Sequence, residues 1–200
     1  MNIKLNFGKK GYIASPYWPE MYQCIEIEKK SGVNRARTDA NRRKALEAYL
    51  SSENMTLQQY EALKALAARP FHADEQGIYI PADNIISALV NANMVAPRSM
   101  RIENLRVAVT ASDFRTDKQQ PDGIWRRFAV VTMGTGQKAS NQRGLRENAY
   151  IQDFAATGTI DVEPEMVDPK ALVKLLEFTG RIVGIGASRK MGWGRFTVEQ

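Results

Sequence analysis

Cysteine and histidine are nearly missing from this chain, which holds one of each, Cys24 and His72. A single cysteine excludes an internal disulfide and any cysteine-based metal cluster. A single histidine leaves no HxxxH pair, and no DxD pattern stands in for it, so neither a metal nor another cofactor is expected. Long apolar runs are also absent. None approaches the roughly 20 residues of a membrane span, and the opening MNIKLNFGKK lacks the apolar core of a signal peptide. The expected setting is the reducing cytoplasm, with no membrane partner. Cys24 lies in an alternating apolar stretch and reads as a buried structural thiol.

Acid is the other scarcity, and it is local. Residues 35–44 carry Arg35, Arg37, Arg42, Arg43 and Lys44 against Asp39 alone. Residues 134–146 carry Lys138, Arg143 and Arg146 with no acid, and residues 181–195 carry Arg181, Arg189, Lys190 and Arg195 with none. These windows hold a net +11 in a chain of +6, which leaves the remainder at −5. The positive charge is clustered, as a polyanion site requires. With 44% hydrophobic residues over 200, the chain has enough apolar surface for a real core, and one domain with a sizeable insertion is expected.

Met21 to Glu28 (MYQCIEIE) alternates in the manner of a strand. After the Ser31-Gly32 turn, Thr38 or Asp39 caps a predicted helix with Ala45, Leu46, Tyr49 and Leu50 on one face. Thr56 followed by Gln59 is a capping-box signature. It opens a second helix striped by Leu57, Tyr60, Leu63, Leu66 and Ala67, which Arg69-Pro70 ends. Gly77 to Ile80 reads as a strand, and Pro81 opens a helix through Ile85, Ile86, Leu89 and Val90. Leu105 to Thr110 and Arg127 to Thr132 read as strands around a polar loop or hairpin tip. Gly134 to Gly144 has little to bury and reads as a mobile loop. Ala149 to Val162 is a long strand broken near Gly158. Asp168-Pro169 starts a helix that buries Leu172, Val173, Leu175, Leu176 and Phe178. Two short strands around a glycine-rich link finish the chain.

This order predicts an α+β fold: a ferredoxin-like (RRM-like) antiparallel sheet with helices on one face, plus a helical insertion after the first strand. The expected core is residues 1–30 and 77–200, and the expected basic helical insertion is residues 31–76.

The densest chemical signal is Gly184, Gly186, Gly192 and Gly194 in a segment that otherwise reads as β. Glycine weakens a strand interior, so this density implies positive φ or close approach of another backbone. Phosphates can approach a chain lacking Cβ atoms. Arg189, Lys190 and Arg195 supply charge, and Trp193 offers a stacking face for a base. The competing reading is a glycine-rich hairpin with Trp193 and Phe196 in the core.

This segment, VDPKALVKLLEFTGRIVGIGASRKMGWGRFTV after the strand AYIQDFAATGTIDV, resembles the RAMP superfamily, ferredoxin-like proteins with a glycine-rich loop between the last helix and last strand. Within it the chain is most similar to the CRISPR-associated backbone subunit that coats guide RNA, here as a phage-borne or otherwise compact relative. The match covers about residues 143–198. The resemblance implies RNA binding by copies stacked head to tail, alongside other subunits of a CRISPR complex. It reaches Gly184, Gly186, Arg189, Gly192, Gly194 and Arg195, with Arg143 and Arg146 ahead of the long strand. Arg35, Arg37, Arg42 and Arg43, and Lys138 in the mobile loop, are candidates on charge alone, and a solvated helix face explains them equally well. The strand is single-stranded RNA by resemblance; from charge alone single-stranded DNA fits as well.

Catalysis is not expected. A metal-independent, guide-processing endoribonuclease of the same superfamily would need a general acid/base, and His72 in RPFHADEQG is the only histidine. Asp113 and Asp117 around Arg115 read as a hairpin tip. A third reading is a phage structural or assembly protein whose basic surface meets acidic neighbours.

Overall fold

The computed structural model describes residues 1–14, 19–133 and 140–199, with the side chains of 129–133 and 140–143 outside that description. The chain divides into two compact units, one made of Met1–Ser15 with Pro70–Gln200 and the other of Pro16–Arg69.

The smaller unit is helical: α1 (Pro19–Ser31), α2 (Asp39–Ser52) and α3 (Leu57–Ala67), with a tight turn at Val33–Arg35. Thr38 caps α2 by accepting from the Asn41 N–H, and Thr56 and Gln59 form the reciprocal box on α3. Cys24, Leu50 and Tyr60 are its buried centre, joined by Ile27, Leu46 and Leu63. Burial, reinforced by the Glu28 carboxylate, pushes the Cys24 thiol up and the Tyr60 phenol up to about 12. The Tyr60 hydroxyl donates to Glu28 across 3.2 Å.

Met21–Glu28 is therefore helix, not strand. Eight alternating residues also place Cys24 and Ile27 three apart on one helical face, while Tyr22 and Ile25 face outward. Pro19 at the first position, Glu20 in the first turn and Lys29-Lys30 in the last all suit a helix. The helical unit accordingly begins near residue 16 and ends at 69, rather than running 31–76.

The larger unit is α+β and ferredoxin-like. Its first strand is β1 (Asn2–Phe7), whose Ile3, Leu5 and Phe7 point inward while Lys4 points out. A hairpin of β2 (His72–Asp74) and β3 (Gly77–Ile80) leads into α4 (Ala82–Val95). A helical turn, α5 (Leu105–Ala108), β4 (Val109–Ala111) and β5 (Phe114–Thr116) follow. A long hairpin, β6 (Gly123–Met133) and β7 (Ser140–Tyr150), comes next, then β8 (Phe154–Val162), α6 (Pro169–Phe178) and β9 (Thr197–Glu199). The main sheet runs β2-β3-β5-β8-β1-β9, with β4 also on β8 and every pairing antiparallel. The β9-β1-β8-β5 part is the fourth-first-third-second order of two interlocked β-α-β halves.

The core lies between the sheet and α4 with α6. Ile85, Leu89 and Ala92 of α4 and Leu172, Leu175 and Leu176 of α6 are buried against the inward residues of β1 and β8. Phe7 and Phe154, opposite each other in register, stack at 4.5 Å. Gly158 lies inside β8 rather than at a break. A Cβ there would stand 2.5 Å from the Phe114 ring, so its bareness makes room for that side chain. The strand instead breaks around Asp153, at φ 47.

Other expectations change for similarly local reasons. Leu105 to Ala108 is a helical turn because Leu105 and Ala108, three apart, are both buried; only Val109 onward is strand. The polar stretch before Arg127 holds β5 and the start of β6. Residues 179–183 continue α6 as a wide turn closed by the Gly184 N–H on the Thr179 carbonyl at 2.7 Å, so β9 is the sole strand after α6 among the described residues. Of the expected mobile loop, 134–139 lie outside the described residues and Ser140 onward is strand. No helix among the described residues is long and apolar enough to cross a membrane.

Candidate nucleic-acid interface

The glycine-rich segment is built to be held close to its own chain. Gly194, at φ 73, would put a Cβ 1.8 Å from the Ile185 carbonyl oxygen; Gly186, at φ 78, would put one 2.3 Å from that of Ile13. Neither position accepts a side chain. The closeness is used for hydrogen bonds: Ile185 N–H to Gly194 O (2.9 Å), Ala187 N–H to Ile13 O (2.8 Å) and Gly194 N–H to Gly11 O (2.7 Å). Gly184 and Gly194 are buried. What approaches them is backbone of the same protein, not phosphate, which corrects the expectation for these two. Gly192 differs, since only the Lys10 side chain lies near it, at 3.3 Å.

Trp193 is likewise corrected. It is 7% exposed, with the Trp125 and Tyr150 rings each 5.3 Å away. Its faces are occupied, and it anchors the base of the β6–β7 hairpin to the glycine-rich segment. The competing reading, with Trp193 and Phe196 in the core, is the one observed.

Charge gathers around the short turn Arg189–Met191 that these glycines hold in place. Lys10 Nζ donates to the Met191 carbonyl (2.8 Å), and Arg127 Nη1 reaches the Met191 sulfur (3.3 Å) while its guanidinium lies over the Trp125 ring. Burial, and then the neighbouring Arg189, lower the Arg195 pKa. In the hairpin register Arg127 stands directly opposite Arg146, an arrangement of like charges that is unfavourable by itself. None of Lys10, Arg127, Arg146, Arg189, Lys190 and Arg195 is ion-paired among the described residues. Arg127 Nε and Arg195 Nη1 are sealed from solvent with no acceptor among the described residues. Buried donors without acceptors are costly, and a bound anion relieves them.

Of the remaining candidates, Arg143 has its backbone opposite Val130 in β7 but its side chain, like Lys138 as a whole, lies outside the described residues. Arg35, Arg37, Arg42 and Arg43 belong to the helical unit and are exposed. Arg42 holds Asp39 (3.3 Å) and the Ala36 carbonyl, Arg43 holds Glu47 (2.8 Å), and Arg35 and Arg37 have no ion pair among the described residues. His72 sits on β2, opposite Tyr79, at the far edge of the sheet from β9. Arg115 pairs with Asp74, while Asp113 accepts from the Ala82 N–H at the start of α4. These are structural duties within strand β5 and its neighbours, not a hairpin tip. No group of three or more His, Cys, Asp or Glu able to hold a metal occurs among the described residues.

Lys10, Trp125, Arg127 and Tyr150 belong to the site but were not among the sequence candidates. The alternation in IWRRF is a local signal for Trp125 and Arg127 alone, since it puts those two on one strand face and Ile124, Arg126 and Phe128 on the other. No protein-family model matches the chain, and no curated protein is similar enough in sequence to be matched to it.

Proposed function

We propose that this protein is a non-catalytic subunit that binds single-stranded nucleic acid, holding phosphates with the basic turn at Arg189–Met191. The observation that carries this reading is six cations from four distant stretches at and beside one turn, none of them ion-paired among the described residues, two with sealed nitrogens that find no acceptor there. A polyanion offsets the charge of these partly buried guanidinium groups and relieves the Arg127–Arg146 repulsion. Specificity for sequence is low, because phosphate contacts position a strand without reading it.

The choice of RNA, as a guide strand coated by copies set head to tail, follows from the resemblance of residues 143–198 to the guide-RNA-coating RAMP subunit. One further observation favours assembly. The hairpin face turned away from Trp193 exposes Ile124, Phe128 and Leu145, with Phe128 and Leu145 directly opposed in register. A two-stranded ribbon gains stability when such a face is covered.

The test is filter binding of labelled single-stranded RNA by wild type and by Lys10→Ala/Arg189→Ala/Lys190→Ala. Loss of at least about tenfold in affinity at constant fold is expected from removing charge-assisted contacts. Unchanged affinity in a folded triple variant overturns the assignment of this turn.

A further inference from the structure

A cleft of about 690 Å³ opens where the C-terminal part of α6 faces β9, and neither Trp125 nor Trp193 lines it. Lys174, Arg181 and Arg195 line it against one carboxylate, Glu177, which pairs with none of them. The half-buried Phe178, with Met100, Phe196 and Val198, forms the apolar part of the wall. We propose that this cleft binds one nucleoside monophosphate unit, its ring against Phe178 and its phosphate between Arg181, Arg195 and Lys174.

Three features single out that chemistry. The net lining charge of +2 complements a phosphate monoester, which carries close to two negative charges at neutral pH. The volume falls within the range of small-molecule sites and far exceeds what an inorganic anion fills. Arg195 brings a guanidinium whose Nη1 is buried without an acceptor, so a ligand's charge offsets desolvation already incurred. Glu177 can accept from a ribose hydroxyl or an exocyclic amine. The wide turn at Thr179–Val183, closing on Gly184, carries Arg181 out to the rim, where it is exposed.

A monophosphate reaches such a cleft either as a free nucleotide or as the phosphorylated end of a strand. Arg195 is shared with the cluster at the Arg189–Met191 turn, whereas Lys174 and Arg181 lie outside it, so substituting those two tests the cleft apart from polymer binding at the turn.

The experiment is calorimetric titration of the nucleic-acid-free full chain with AMP, adenosine and inorganic phosphate. It is paired with binding of one short oligonucleotide with and without a terminal phosphate. AMP is expected to saturate and to bind at least about tenfold more tightly than adenosine or phosphate, and Lys174→Ala/Arg181→Ala to abolish that advantage. Both side chains are exposed, so the variant should fold, and its affinity for the unphosphorylated oligonucleotide should match wild type. If strand ends are the natural occupant, the phosphorylated oligonucleotide binds more tightly, and the double substitution removes the preference. If free nucleotide is the occupant, the two oligonucleotides bind alike while AMP still saturates. The proposal is overturned if AMP does not saturate and no end preference exists. It is equally overturned if adenosine binds as well as AMP, or if AMP binding survives the double substitution.

Discussion

Salt dependence gives the sharpest reading of the basic turn. Single-stranded nucleic acid loses affinity with log salt at a slope of about −0.7 per neutralised phosphate. If the six gathered cations each engage one phosphate, the slope is about −4.2. Raising salt from about 50 to about 200 mM then weakens binding by roughly 300-fold. Lys10→Ala/Arg189→Ala/Lys190→Ala leaves three contacts, a slope of about −2.1 and a loss of only about 20-fold over the same range. Filter binding or fluorescence anisotropy at four or five salt concentrations measures both lines. A wild-type slope no steeper than about −1, or identical slopes for the two proteins, refutes phosphate binding by this cluster. A slope well beyond the expected value brings in the helical unit, and Arg35→Ala/Arg37→Ala tests that separately.

Trp193→Ala should cost about 3–5 kcal/mol of stability, because it empties the contact with Trp125 and Tyr150; a variant that melts like wild type yet loses RNA binding would restore Trp193 as a stacking platform. Gly194→Ala forces a Cβ onto the Ile185 carbonyl and should lower the urea midpoint severely, whereas Gly192→Ala, meeting only the Lys10 side chain, should cost about 1–2 kcal/mol for its left-handed backbone. Equal midpoints for the two glycine variants would refute the close-packing account. Asp74 has its pKa lowered by its hydrogen bond to Arg115, so the pair stabilises the fold above the ordinary carboxylate value and the benefit is lost as pH falls through the lowered one. The stability gap between wild type and Asp74→Asn should be full near pH 6 and shrink as pH falls below the ordinary carboxylate value; a gap independent of pH sinks that reading.

Elements whose signals are local were legible from the chain itself. The Thr56–Gln59 box, the Thr38 cap and the Asp168-Pro169 start name their helices because each satisfies backbone N–H groups within one turn. Gly77 to Ile80 and Arg127 to Thr132 are strands as read. Met21–Glu28 was misread because a pattern of eight residues fits both periods, and Pro19, which decides for helix, lies just before it. The site is harder, since its partners are distant. Lys10 meets Met191 across 181 positions, and Arg127 meets it across 64. Nothing local in the sequence aligns Arg127 with Arg146. That depends on the register of the hairpin.

The same distance explains why glycine density signalled a close approach without showing which partner makes it. Close approach was the correct inference, and the approaching partner is the chain itself at Gly11 and Ile13. Three backbone hydrogen bonds and a buried tryptophan make a rigid base, and rigidity is what the turn above it needs. Arg189, Lys190 and Arg195 repel one another and the facing Lys10 and Arg127, so a mobile loop would splay them apart. Fixed on this base, they remain close with no ion-paired carboxylate among the described residues, and in the proposed role the energy of that repulsion is released when a polyanion binds. On this view the glycines act one step removed from the ligand, by setting the backbone path from which the cations project.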